Sequence, residues 1–134
     1  MKQESLAVLF VDDDDEQAAM TTRALAPFGI QVTTTSTSLG ATNLTRRIRP
    51  DVVLLEVEIP ALTGDALVAL LRRSAPSTMR IVLYSSHDDA SLRAIAGRTG
   101  ADGWVSKSVD AETLARYLTR VARLGGVRTA GPPK

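Results

Sequence analysis

Asp12, Asp13, Asp14 and Asp15 form an unbroken carboxylate run directly behind the apolar stretch Leu6–Val11. Three further apolar stretches lead into side chains capable of chemistry. Val52–Leu55 runs into Glu56, with Glu58 and Pro60 just beyond; Ile81–Tyr84 runs into Ser85 and Ser86; Trp104–Val105 is followed by Lys107. Carboxylates suit a hard divalent cation such as Mg2+, while a hydroxyl and an ammonium suit the oxygens of an oxyanion. Each group alone is ordinary. An Asp run ahead of a helix serves first as cap and dipole partner, which is how Asp14 and Asp15 read. A strand-end hydroxyl commonly satisfies backbone groups. Chemistry follows only if a fold gathers these residues.

The elements that would gather them are legible. Leu6–Val11, Val52–Leu55 and Ile81–Tyr84 are short, continuous and rich in β-branched residues, which suits strands buried on both faces of a parallel sheet. Ile30–Thr35 (IQVTTT) is more polar and suits an edge strand, and Trp104–Val105 is a short fifth strand at the other edge. Helical patterns lie between. The first covers 14–26, with Met20, Ala24 and Phe28 as its apolar stripe, Thr21 and Leu25 beside it, and Pro27 and Gly29 ending it. Others cover 39–47, 65–73, 89–98 and 110–124, the last striped by Leu114, Ala115, Leu118, Val121 and Ala122 and stopped by Gly125 and Gly126. Five βα units predict an α/β fold: a three-layer, doubly wound parallel sheet of strand order 2-1-3-4-5. Its functional crevice lies at the carboxyl ends of strands 1 and 3, where Asp12, Asp13, Glu56, Ser85 and Lys107 would converge. Residues 1–124 read as one domain and 125–134 as a disordered tail or linker.

The bulk properties narrow the function. A chain of 134 residues suits one domain with a proper core, and the absence of Cys excludes disulfides and Cys-based zinc sites. A net charge of +1 argues against an electrostatic nucleic-acid binder. Leu6–Val11 is too short for a membrane span or a signal-peptide core, and acids follow it at once. The expectation is a soluble, cytoplasmic protein that engages neither nucleic acid nor membrane.

Four segments, LFVDDD (9–14), PDVVLLEVEIPALTG (50–64), IVLYSSHDD (81–89) and GADGWVSKS (100–108), occur in order and in register. Together they resemble the receiver domains of response regulators in two-component signalling, which have a flavodoxin-like fold. The resemblance covers about residues 5–124. It implies that Asp12 and Asp13 are the metal-binding acid pair, with the backbone carbonyl of Glu58 as third protein ligand to a weakly held Mg2+. It sets Glu56 at the phosphoacceptor position. Ser85 matches the hydroxyl that turns toward the phosphoryl group, Lys107 the lysine that bonds a phosphoryl oxygen, and Trp104 the switch aromatic. The implied partners are proteins of a signalling pathway, a histidine kinase or an output protein, with a homodimer through helix 4, strand 5 and helix 5.

Three departures from the family pattern matter. Glu56 replaces the acceptor Asp, and its extra methylene moves the carboxylate by about 1.5 Å. Misplacements near about 1 Å can cost roughly a hundredfold in rate, so ordinary aspartyl phosphorylation is not expected. Ser108 stands where a proline with a cis bond usually follows the lysine; a non-proline cis bond costs about 3 kcal/mol, so a trans, repositioned loop is expected. Trp104 is bulkier than the usual Tyr or Phe, and its inward pocket is expected to be closed to it.

The leading reading is therefore a pseudo-receiver signalling module that works through protein contact. Glu56 would mimic a phosphorylated acceptor by carrying its charge outward toward Ser85 or Lys107, and a direct Glu56–Lys107 pair would fill the metal's electrostatic role. A rival reading is a Mg2+-dependent phosphotransfer or hydrolytic enzyme in the same crevice, which no Gly-rich loop or His base supports. A flavodoxin-like cofactor binder is disfavoured, because a phosphate-cradling loop does not carry four carboxylates. His87 is too isolated to suggest a ligand or nucleophile. Arg93, Arg116 and Arg120, with an exposed Trp104, form the candidate partner surface.

Overall fold

The structure is a computed structural model that describes residues 5–59, 62–74 and 78–123. In chain order the elements are β1 (Leu6–Val11), α1 (Asp15–Leu25), a 3-10 turn (Ala26–Phe28), β2 (Ile30–Thr35), α2 (Ser38–Ile48), β3 (Val52–Leu55), β4 (Glu58–Ile59), β5 (Leu62–Thr63), α3 (Gly64–Ser74), β6 (Arg80–Ser85), α4 (Asp89–Thr99), β7 (Gly103–Ser106) and α5 (Ala111–Arg123). Five strands make one parallel sheet in the order β2-β1-β3-β6-β7, the expected 2-1-3-4-5 arrangement. A short antiparallel hairpin, β4 with β5, was not anticipated. The tail expected at 125–134 lies outside the described residues.

Alternation along the strands builds two cores. Leu9 and Val11 of β1 join Val53, Leu55, Ile81 and Leu83 beneath α2, α3 and α4. Val8 and Phe10 join Val52, Leu54, Val82 and Tyr84 beneath α1 and α5. Successive strand side chains point to opposite faces, so a strand covered by helices on both sides must be apolar throughout. That is why β1, β3 and β6 read as unbroken apolar runs.

Helix ends follow local chemistry. Asp14 caps α1 by accepting from the Glu16 and Gln17 amides, Thr37 caps α2 at Gly40, and Asp88 caps α4 at Ser91. Gly100 closes α4 in the left-handed region, and Arg49 does the same for α2 with φ 46°.

One expectation about α1 is overturned. Its buried residues are Ala18, Thr21 and Leu25, whereas Met20 is 52% exposed and Phe28 47%. With Asp14 as N-cap, the face turned to the sheet runs through positions 18, 21 and 25. The stripe of Met20, Ala24 and Phe28 therefore faces solvent.

Candidate functional site

Each crevice residue is the first or last position at the carboxyl end of its strand, held there by the neighbouring strand. The Asp12 amide donates to the Thr35 carbonyl (3.0 Å), the Glu56 amide to Val11 (3.0 Å) and the Lys107 amide to Ser85 (2.8 Å). Strand order thus sets the order of chemistry across the crevice: Asp12, Glu56, Ser85, Lys107. Lys107 arrives from the sheet edge and reaches back across β6.

Lys107 Nζ lies 2.6 Å from Glu56 Oε1 and 3.0 Å from Asp12 Oδ2. The remaining carboxylate oxygens take backbone amides: Asp12 Oδ1 accepts from Asp14 (3.0 Å) and Glu56 Oε2 from Glu58 (3.2 Å). All four oxygens of this buried carboxylate pair therefore have a donor. The ammonium also sits 5.6 Å from the centroid of the Tyr84 ring. Burial works to lower the Lys107 pKa, but hydrogen bonds and charge from Glu56 and Asp12 outweigh it and raise the pKa above its ordinary value. Burial raises that of the Tyr84 phenol, against the opposing pull of the Lys107 charge.

Ser85 does not join this group. Its Oγ lies 2.8 Å from His87 Nδ1, and His87 Nε2 lies 2.9 Å from Glu58 Oε1. His87, too isolated in the sequence to suggest a ligand or nucleophile, thus bridges the end of β6 to the start of the β4–β5 hairpin. The Ser85-x-His87 spacing was the one available clue. Glu58's part depends on a hairpin the strand pattern did not reveal.

Asp13 is exposed, unlike buried Asp12 and Glu56. Among the described residues no group of three or more acids or histidines is gathered as a metal cage. A divalent ion held by Asp12 and Glu56 would compete with the Lys107 ammonium for both carboxylates.

Two expectations about Trp104 are corrected. It is 6% exposed, so its bulk does not keep it out of the interior, and it offers no exposed aromatic to a partner. It packs in the core beneath α4, its backbone amide donates to the Tyr117 hydroxyl (3.0 Å), and the Arg93 guanidinium lies 5.9 Å from its ring centroid. Arg116 and Arg120 instead line a cavity with Phe28, on the side of α5 toward α1. Trp104 is therefore not the exposed aromatic of the surface expected from Arg93, Trp104, Arg116 and Arg120. The loop after Lys107 is trans, as every described peptide bond is, and Ser108 bonds back to Ser106.

The family model described as "Response regulator receiver domain" matches residues 8–119. Among curated relatives, the transcriptional regulatory protein CseB of Streptomyces coelicolor is 34% identical over 129 residues, covering 92% of this chain and 54% of that protein. Protein PilH of Pseudomonas aeruginosa is 29% identical over 115 residues, covering 85% of this chain and 95% of PilH. The chain spans about half the length of several curated relatives it matches, 54% and 53% in two of them. Among solved structures, the chemotaxis response regulator CheY4 of Vibrio cholerae superposes with a TM-score of 0.76 at 28% identity, covering 87% of this chain and 98% of that one. No helix among the described residues is long and apolar enough to cross a membrane. The family match runs from within β1 well into α5 and so takes in every strand of the sheet: this chain belongs to the response-regulator receiver-domain family of two-component signalling.

Proposed function

We propose that this receiver domain is a pseudo-receiver, which signals through protein contact and is not phosphorylated in the usual way. The observation that carries the reading is the closed set of bonds around Lys107: Glu56, at the acceptor position, spends one oxygen on the lysine at 2.6 Å and the other on the Glu58 amide. A carboxylate so engaged is neither free to attack phosphorus nor held at the distance an aspartate would keep. Asp12, the other buried carboxylate, is likewise committed to Lys107. Glu56 and Lys107 together stand in for phosphoryl group and metal, so Mg2+ binding is weak. The state of the domain is then built in, whereas an ordinary switch needs a ligand that distinguishes two states.

Its partners are proteins of a signalling pathway, a histidine kinase or an output protein, in the cytoplasm. This fits relatives described as transcriptional regulatory proteins. The domain itself does not engage nucleic acid. The test is incubation with acetyl phosphate and Mg2+, read by intact mass. The native chain is expected to gain no phosphoryl group, and Glu56→Asp to gain one at least in part. A stable adduct mapped to Glu56 of the native chain overturns the proposal.

A further inference from the structure

An exposed aromatic, Phe28, lies at the end of the sheet opposite the crevice. Helix α1 starts at the carboxyl end of β1 and runs back along the sheet. The chain leaves it through the 3-10 turn beside the amino end of β1, where the Leu6 amide donates to the Gly29 carbonyl at 3.2 Å. Helix α5 runs back the same way and ends beside it. Between them lie two open cavities, of about 410 and 470 Å3, which share Phe28, Thr119 and Arg123 and so form one groove. Phe28 is 47% exposed in it, Leu6 and Ala122 extend its apolar wall, and Arg116, Arg120 and Arg123 line it at helical spacing along α5. An exposed aromatic among arginines is the composition of an interface centre and not of a solvated face.

The complement to this groove is on the same chain. The crevice end of α1 exposes Asp13, Asp15 and Glu16, and Met20, one turn beyond Glu16 on the same stripe, is 52% exposed. Acids followed by a flexible apolar side chain match arginines around an apolar groove in both charge and order. We propose that the N-terminal half of α1 in one copy docks into the α1–α5 groove of a second copy. Met20 lies against Phe28, and Asp15 and Glu16 meet Arg120 and Arg123. The two surfaces adjoin along one stripe of α1, Met20 standing two helical turns before Phe28, so two copies meet with these stripes side by side and antiparallel. It rests on one helix stripe, so it is weak, and on exposed charges, so salt dissolves it. Because Asp13 borders the crevice, each contact also covers the mouth of the neighbour's Glu56–Lys107 site.

The test is weight-average mass by light scattering or sedimentation over a concentration series, at about 25 mM and about 0.5 M salt, which brackets the Debye screening range. The native chain is expected to gain mass with concentration at low salt and to lose that gain at high salt. Arg120→Glu with Arg123→Glu, and separately Asp15→Lys with Glu16→Lys, are each expected to stay monomeric. Mixing the two reversed proteins is expected to restore association, which a folding defect in either would not do. Met20→Ser is expected to weaken association without changing its salt dependence. A native chain that stays monomeric across the low-salt series overturns the proposal. So does a mixture that fails to associate while both variants give native circular dichroism.

Discussion

At the scale of single residues, Lys107 organises the crevice, and its removal should be felt through the acids it leaves behind. Breaking a buried ion pair by deleting one partner costs roughly 3–5 kcal/mol. Lys107 keeps 17% of its side chain exposed, so the lower end applies, and Lys107→Met should lose about 3 kcal/mol in urea denaturation. Adding Glu56→Gln removes one of the two stranded charges, Asp12 keeping the other, and should recover part of the loss. A double variant as unstable as the sum of its singles would show that the two residues do not act as a pair. The pair also sets an alkaline limit. The folded Lys107 pKa is raised above 10.5, so its contribution is complete below 10.5 and is lost as pH rises through the higher folded value. Tyr84, raised from 10.0, acts in the same direction, so the Lys107 component is read from the difference between Tyr84→Phe and Tyr84→Phe with Lys107→Met. The Lys107–Glu56 pair was legible in the sequence, because buried strands fix where their last residues stand. The His87 bridge was not, because it depends on a hairpin of two-residue strands too short to leave a periodic trace.

At the scale of elements, two glycines separate intrinsic preference from packing. Gly97 lies inside α4 with open space where a Cβ would go, so Gly97→Ala should stabilise by about 0.5–1 kcal/mol. Gly40 lies in the first turn of α2, where a Cβ would come 2.2 Å from Thr35 Oγ1 and 2.9 Å from Thr37 Oγ1. Thr37 Oγ1 accepts the Gly40 amide as the helix cap, so Gly40→Ala should destabilise by roughly 1 kcal/mol or more despite the better helix former. Opposite signs in thermal melts of these two substitutions check both claims. The three central strands were readable from apolar runs, β2 only from its more polar pattern, and helix bounds shifted by only a residue or so. The misassigned face of α1 is instructive. Its small and polar buried residues, Ala18 and Thr21, carry little apolar signal, while the stronger hydrophobes Met20 and Phe28 sit outside. Hydrophobicity ranks side chains by chemistry, not by which face the N-cap turns toward the sheet.

At the scale of the whole molecule, charge follows helix direction. First turns carry Asp15, Glu16, Asp65, Asp89 and Glu112, and last turns carry Arg23, Arg46, Arg47, Arg72, Arg73, Arg98, Arg120 and Arg123. Each matches the helix dipole. Hydrogen bonds hold the carboxyls of Asp65 (from Arg98), Asp88 (from Ser91) and Asp110 (from Thr113) below their ordinary pKa of 3.8. The stability they give is present above that value and is lost as pH falls through the folded ones. Acid also leaves the 16 Lys and Arg and the single His unopposed. Stability is therefore expected to fall below about pH 4, and more steeply at low salt, where repulsion among the arginines is unscreened. Denaturation midpoints across pH at two ionic strengths check this; equal slopes would contradict it. The fold class was readable because five βα units allow few arrangements. The placing of Arg93 over Trp104 and of Arg116 and Arg120 beside Phe28 was not, because it depends on how helices seat on the sheet.

The sheet places β1 between β2 and β3, with its first partner close by and its second far along the chain: Ala7 and Asp51, where β1 meets β3, are 44 positions apart. During synthesis at roughly 5–20 residues per second, β1 waits about 2–9 s before β3 emerges. Through that interval the nascent chain displays Leu6–Val11, a six-residue β-forming segment without a charge, able to pair only with polar β2. The four aspartates that follow it, of which Asp12 alone later joins Lys107, set charge at its end as a gatekeeper. A residue run read as crevice chemistry thus protects the growing chain before it serves the folded one.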